Sequence, residues 1–283
     1  MAGTGYIWDV SDDEYFADAG NSVSNSELKD YRTDPDLYYQ RHITKSIPPL
    51  KKDNLTFGSG THAWFLIPEM FDSLVVEIPE EVLAKNGAKS TKAYREFADE
   101  HPSKMLLKEK EILQIKAMGR AAMNDPTIAS LLTDDGITEQ PIKWVDSITG
   151  LTCRCKTDRL LGRATVDLKT YSGNPRDMWA VARHIESMGY HNQAAFYQDG
   201  VTEFTDEVRP FVFIFIGKEP PYPTATITLS QDWIDAGREK NRSSLNSLSE
   251  SRKLKNFLPS THGQIVCLER PGFAAFRDEW ELN

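Results

Sequence analysis

The longest wholly apolar run in the 283-residue chain is Phe211 to Ile216, and it limits what the chain can fold into. It is far short of the ~20 residues a membrane-spanning helix needs. It suits a strand, Arg209 to Ile216, buried on both faces, and such a strand needs helices on each side of its sheet. The flanking sequence supplies them. Ile142 to Asp146, the turn Ser147-Ile148-Thr149-Gly150 and Leu151 to Arg159 read as a hairpin, and Ala164 to Thr170 as a third strand. Helices at Pro175 to Ser187 and Tyr190 to Glu203 precede the apolar strand; a strand at Thr224 to Leu229 and a helix from Gln231 to about Lys255 follow it. The middle order, β-β-β-α-α-β, predicts an α/β fold.

The first 135 residues are mainly helical in pattern. Ser24-Asn25-Ser26-Glu27 has the form of a capping box, so a helix starts there and runs to about Tyr31, with a second from Pro35 to Arg41. Leu55 to Ile67 reads as a helix despite Gly58 and Gly60, which would let another backbone or a ligand come close. Ser73 to Ile78 is a short strand, while Thr91 to Glu100, Leu107 to Met123 and Pro126 to Leu132 have helical apolar spacing. Only short flexible connections interrupt the chain: Ile47-Pro48-Pro49, Lys85 to Ser90 and Gly217 to Pro223. One domain is therefore expected over 1–283, with a helical portion (1–135), a sheet-bearing core (136–230) and a C-terminal helix and tail (231–283).

Lys and Arg number 33 against 42 Asp and Glu, a net charge of −9. That argues against coating nucleic acid through bulk positive charge but leaves a local site open. The first 36 residues hold nine acids and two bases, so −7 of the total lies there. Between Arg238 and Lys255, six cations (Arg238, Lys240, Arg242, Arg252, Lys253, Lys255) face two acids, Glu239 and Glu250. Such a helix is either a solvated face or a stretch that meets DNA or a neighbouring subunit. Three cysteines form neither a disulfide framework nor a four-thiolate cluster, and the N-terminus has no basic stretch followed by an apolar one. Reduced thiols in a cytoplasmic protein, with no membrane association, are the expectation.

Phosphodiester hydrolysis needs a cation to neutralise phosphate charge and an activated water, and two carboxylates on neighbouring strands suffice to hold Mg²⁺. Asp158 ends the second hairpin strand and Asp167 lies in the third. In a strand, residues i and i+2 share a face, so Lys169 points to the same side as Asp167 while Leu168 enters the core. An Asp-x-Lys alone is also a common surface ion pair. Here Val166 and Leu168 make the strand a buried one, where an acid and a lysine are costly without a role. Gln193 and Tyr197 share a helix face at i, i+4. Glu139, just ahead of the hairpin, reads equally as a solvated acid or as a second-metal or supporting acid. Gly87-Ala88-Lys89-Ser90 lacks the upstream glycine of a phosphate loop.

Asp158, then Val166-Asp167-Leu168-Lys169-Thr170, then Tyr190-His191-x-Gln193-x-x-x-Tyr197 resembles the PD-(D/E)XK nuclease superfamily. Within it the chain is similar to the RecE-like, lambda-exonuclease-related exonucleases. Phe57-Gly58-Ser59-Gly60-Thr61-His62-Ala63 with Leu66-Ile67-Pro68-Glu69, and Val23-Ser24-Asn25-Ser26-Glu27-Leu28, carry the resemblance further, over about residues 22 to 230. The resemblance implies a restriction-endonuclease-like core, a central mixed β-sheet flanked by helices with an N-terminal helical portion. It implies that His62, Asp158, Asp167 and the Leu168 main-chain carbonyl hold metal, that Lys169 is the catalytic lysine, and that Gln193 and Tyr197 support the site and contact the DNA backbone. Ser26 matches a serine that meets the terminal phosphate. Asp167 stands where many members have Glu, which shortens that ligand by one methylene.

The function so implied is a Mg²⁺-dependent exonuclease, with Mn²⁺ as substitute, acting 5′ to 3′ on linear double-stranded DNA. It would leave 3′ single-stranded tails for a RecT-like annealing protein, work as a ring-shaped homo-oligomer, and be bacterial or phage-encoded. The acidic N-terminal segment is then expected outside the ring, away from DNA. Two other readings fit the same motifs: a single-strand or structure-specific nuclease of the AddB type, and a non-catalytic DNA-binding module with a relict site.

Overall fold

The computed structural model describes residues 3–48 and 53–270, with backbone alone for 53–55. The N-terminal part comprises β1 (Tyr6–Ile7), α1 (Asp12–Ala17), α2 (Asn25–Thr33), α3 (Pro35–Tyr38) with a π-helical turn at Tyr39–Ile43, α4 (Asp53–Leu66), α5 (Pro68–Leu74), β2 (Val75–Glu77), α6 (Lys92–Glu100), β3 (Met105–Leu107), α7 (Glu109–Met123) and α8 (Pro126–Thr133). Then come β4 (Gly136–Val145), β5 (Thr152–Leu161), β6 (Thr165–Tyr171), α9 (Met178–Met188), α10 (Tyr190–Thr205), β7 (Phe211–Gly217), β8 (Thr224–Thr228) and α11 (Gln231–Leu254).

The main sheet has the order β1-β4-β5-β6-β7-β8. Only β6 and β7 are parallel, joined by the α9–α10 crossover, so the sheet is mixed, as expected. A separate parallel pair, β2 and β3, lies among the helices. In β7 the alternation divides the core. Val212, Ile214 and Ile216 pack with Phe57, Phe65, Leu107, Ile115 and Met118 on the α4/α7 side. Phe211, Phe213 and Phe215 pack with Val181, Ile185 and Ala194 of α9 and α10 on the other. The apolar run is thus buried on both faces, which is why its sequence shows no polar position.

Several elements differ from expectation. β4 begins at Gly136 rather than Ile142, because Pro141, which looks like a strand breaker, turns its missing N–H toward the two-residue edge strand β1. There its carbonyl accepts from the Trp8 N–H at 3.1 Å, and Pro141 still stands in register with Lys156 of β5. Residues 105–107, partly read as the start of a helix, form β3, and α7 starts at Glu109. Of Ser73–Ile78 only Val75–Glu77 is strand. The segment Ile47-Pro48-Pro49 runs into the residues outside those described.

The acidic N-terminal segment lies against the sheet. Asp18 pairs with Lys143 of β4 at 2.9 Å and Asp12 with Lys156 of β5 at 2.9 Å, while Lys143 sits 3.3 Å over the Trp8 ring. These acids neutralise lysines of their own chain. The cations of α11 are engaged likewise. Arg238 meets Asp199 at 2.9 Å, Lys240 meets Glu186 at 3.1 Å, and Arg242 grips Asp146 with two bonds of 2.8 and 2.6 Å. Arg252 donates to the Gly20 carbonyl and the Tyr38 hydroxyl. Arg238, Arg242 and Arg252 so strap the N-terminal helices and α10 to the sheet, while Lys240, Lys253 and Lys255 remain exposed on the solvated face.

That strap depends on close approach of two helices. A Cβ on Gly237 of α11 would lie 2.3 Å from the main-chain oxygen of His191, which cannot swing aside. Gly237→Ala is therefore expected to destabilise the fold by about 1–3 kcal/mol in urea titration, through overpacking. The added helix propensity of alanine, about 1 kcal/mol, offsets only part of it.

Candidate metal centre

The site forms where two strands part. β6 pairs with β7 along seven residues but with β5 only through Arg159 with Val166 and Leu160 with Thr165. Past that point the Asp158 side chain takes the place of a ladder carbonyl: its Oδ2 accepts the Leu168 N–H at 2.7 Å. The sheet is opened, yet the Leu168 donor is not stranded.

On the α10 side of the seam, Asp167 is 3% exposed and doubly held. Gln193 Nε2 donates to its Oδ1 at 2.7 Å, and Lys169 Nζ lies 2.6 Å from its Oδ2. Leu168, between them in sequence, is 1% exposed and joins the opposite core, as the two-residue period requires. The Lys169 ammonium also sits 4.8 Å over the Tyr190 ring. Tyr190 belongs to the motif that carried the resemblance, but no role for it was legible there. From the α4 side, His62 places Nε2 3.2 Å from the Leu168 carbonyl and Nδ1 3.6 Å from Asp158 Oδ1. His62, Asp158 and the Leu168 carbonyl thus meet on the α4 side of the seam, and Asp167, Lys169 and Gln193 on its α10 side. Among the described residues Asp167 is not part of a group of acids and histidines whose ligand atoms lie within 4.8 Å of one another.

Burial pushes the Asp158 carboxyl up to about 6, and Asp167 adds to the rise while His62, Lys169 and the Leu168 N–H oppose it. Burial also works against charge on Lys169, but Asp167 foremost, with Tyr190 and Asp158, holds its pKa above the ordinary value. Tyr197 is pushed well above the usual phenol range by burial, with Asp167 and Asp158 contributing, so it stays a neutral phenol beside the site. A carboxylate raised in this way is one that gains from a cation. The donors present, two carboxylates, a main-chain carbonyl and one imidazole, are the oxygen-rich set that suits Mg²⁺ or Mn²⁺.

Other candidates fall elsewhere. Ser26 is exposed on α2, whose capping residue is Ser24, and its hydroxyl contacts Ser24 Oγ at 2.9 Å rather than the seam. His191 turns away toward α11, 3.0 Å from Lys240 Nζ, and His184 packs against Tyr171 with the rings tilted by 40°. Gly60 packs under Leu107 and Ile115, whereas among the described residues no atom lies within 4 Å of where a Cβ on Gly58, one turn before His62, would stand. Glu139 does join the site: His62, Glu139 and Asp158 each offer an atom within 4.8 Å of the others.

Known proteins agree with this architecture. A family model described as a PDDEXK-like domain of unknown function (DUF3799) matches residues 24–270. The crystal structure of a "putative exonuclease" from Eubacterium rectale superposes with a TM-score of 0.62 at 15% identity, covering 95% of this chain and 98% of that one, which shows a shared fold. LHK-Exo in complex with dAMP is 16% identical over 86% of this chain and 97% of its own, but its TM-score of 0.29 supports no comparison of fold. No curated protein matches. Among the described residues no helix is long and apolar enough to cross a membrane.

Proposed function

The chain belongs to this PDDEXK-like family, and from that premise we propose that it is a divalent-metal-dependent exodeoxyribonuclease of the RecE-like kind. The observation that carries the reading is the opened β5/β6 seam, with His62, Asp158 and the Leu168 carbonyl in contact at it and the Asp167–Lys169 pair beside it. A structural ion pair would not need a strand ladder to be interrupted for it.

His62, Asp158, Asp167 and the Leu168 carbonyl would hold the cation; Mg²⁺, or Mn²⁺ in its place, supplies charge neutralisation at the scissile phosphate. Lys169, fixed between Asp167 and Tyr190, orients the attacking water for in-line displacement and stabilises the negative charge that develops. Gln193 fixes one oxygen of Asp167, which leaves the other directed at Lys169 and the seam. Tyr197, half-buried and held neutral, backs this arrangement, and both belong to the helix that would face the nucleic-acid backbone. Ser26, exposed in the first turn of α2, is where a terminal 5′-phosphate would meet a helix N-terminus.

By this reading the substrate is the end of linear double-stranded DNA, degraded 5′ to 3′. The 3′-tailed product passes to a RecT-like single-strand annealing protein. A ring-shaped homo-oligomer in a bacterial or phage-infected cytoplasm would give processivity.

The test compares 5′-phosphorylated and unphosphorylated linear duplex, circular duplex and single strands, with Mg²⁺ and with EDTA. Mononucleotide release from linear duplex alone, abolished by EDTA and faster with a 5′-phosphate, is the expected result. Equal attack on single strands would favour the AddB-type reading. Absence of hydrolysis on every substrate would leave a DNA-binding module with a relict site.

A further inference from the structure

Glu139 stands directly across from Asp158. The β4/β5 register pairs Thr138 with Arg159 and Gln140 with Thr157, and the step between them brings these two acids opposite each other. Glu139 has φ +52° inside a ten-residue strand, a left-handed conformation that glutamate rarely adopts. Its carboxylate reaches the cluster with His62 and Asp158. It is also ion-paired with Lys156, whose ammonium bonds Asp12 of α1 at 2.9 Å as well. Lys156 precedes Asp158 by two residues on β5, so the ammonium sits on the same side of the strand as the metal-facing carboxylate.

Resting on the nuclease reading above, we propose that Glu139 is a further ligand of the divalent-cation centre and that Lys156 is its exchangeable counter-ion. The ammonium holds the Glu139 carboxylate beside His62 and Asp158, where two acids facing each other would otherwise repel. When a divalent cation arrives, that single positive charge is replaced by a doubled one, and Lys156 keeps Asp12 as its partner. Added to His62, Asp158, Asp167 and the Leu168 carbonyl, Glu139 would bring the protein donors to one nitrogen and four oxygens, and water or phosphate oxygen would supply the rest. Asp12 thereby ties the acidic N-terminal segment to the centre as the acceptor that keeps Lys156 within reach.

The test is Mn²⁺ binding to the full chain, read by electron paramagnetic resonance of free Mn²⁺ in the absence of DNA, for the parent, Glu139→Gln, Lys156→Met and Asp167→Asn. Glu139→Gln is expected to weaken binding by about 10–100-fold, the range for groups that support or join a metal shell. Lys156→Met is expected to tighten it several-fold, since a competing cation is removed; a merely structural lysine would leave affinity unchanged or lower it. Should Glu139→Gln fail to fold, the sign of the Lys156→Met effect still decides. Parent-like binding in Glu139→Gln, or unchanged or weakened binding in Lys156→Met, overturns the inference; if Asp167→Asn alone loses Mn²⁺, the nuclease reading survives it. A parent protein that takes up no Mn²⁺ overturns both.

Discussion

Lys169→Met and Asp167→Asn are each expected to remain folded and to lose at least about 10³-fold of Mg²⁺-dependent DNA degradation, because each removes a charge worth several kcal/mol in the transition state. Both substitutions keep side-chain volume. The asparagine of the second variant would still present an oxygen to Gln193 Nε2, which now donates to Asp167 Oδ1 at 2.7 Å, so the β6–α10 contact survives. The methionine of the first would still lie against the Tyr190 ring. What goes is the ammonium 2.6 Å from Asp167, or the second anionic ligand. Nucleotide release measured alongside thermal unfolding separates chemistry from stability. Full Mg²⁺-dependent activity in both variants would show that the seam is not where hydrolysis occurs.

Glu27→Ala is expected to cost about 3–5 kcal/mol in urea unfolding, the range for stripping one partner from a buried ion pair. Glu27 and Arg154 are 1% and 3% exposed, with Oε2 and Nη1 3.0 Å apart. The same carboxylate closes the capping box, accepting the Ser24 N–H at 2.7 Å, while its other oxygen accepts the Gly20 N–H at 2.9 Å. Arg154 in turn bonds the carbonyl and hydroxyl of Ser22. Removal of Glu27 leaves a guanidinium buried without its counter-ion and the Ser24 and Gly20 donors without their acceptor. The bridge of Val23 to Cys153, which attaches the start of α2 to β5, depends on this arrangement. The double variant Glu27→Ala with Arg154→Leu is expected to be less destabilised than Glu27→Ala alone, because no uncompensated charge remains. A loss below about 1 kcal/mol for Glu27→Ala would mean the pair is solvated and contributes as a surface pair does.

What was legible in the sequence was what depends on short periods. The two-residue alternation of Val166-Asp167-Leu168-Lys169 put acid and lysine on one face and leucine in the core, and all three positions stand so. The unbroken run Phe211–Ile216 required two covering layers and has them. Ser24-x-x-Glu27 marked the start of α2, but the identical Ser11-x-x-Glu14 spacing, which caps α1, passed unread among the acids around it. Contacts distant in sequence carried no such sign. β1 is two residues, both exposed, and exists through pairing with Ile142 and Lys143. The cations of α11 looked free because their partners, Asp146, Asp199 and Glu186, lie on other elements. Among the acids of the first 36 residues, Asp9, Asp12, Asp13 and Glu14 are exposed, but the pairing of Asp18 with Lys143 and of Glu27 with Arg154 joins distant positions and carried no sign in the sequence. Glu139 could be noted but not assigned, since its place in the centre follows from a positive φ and from the register of a strand whose Pro141 hid its length.

The most direct measurement is anomalous diffraction from crystals soaked in Mn²⁺. The account predicts an anomalous peak in the β5/β6 seam at about 2.0–2.3 Å from oxygens of Asp158 and Asp167 and from the Leu168 carbonyl, with His62 turned toward it. A peak elsewhere on a protein that degrades DNA, with no peak in the seam and Lys169 still paired with Asp167, would contradict it.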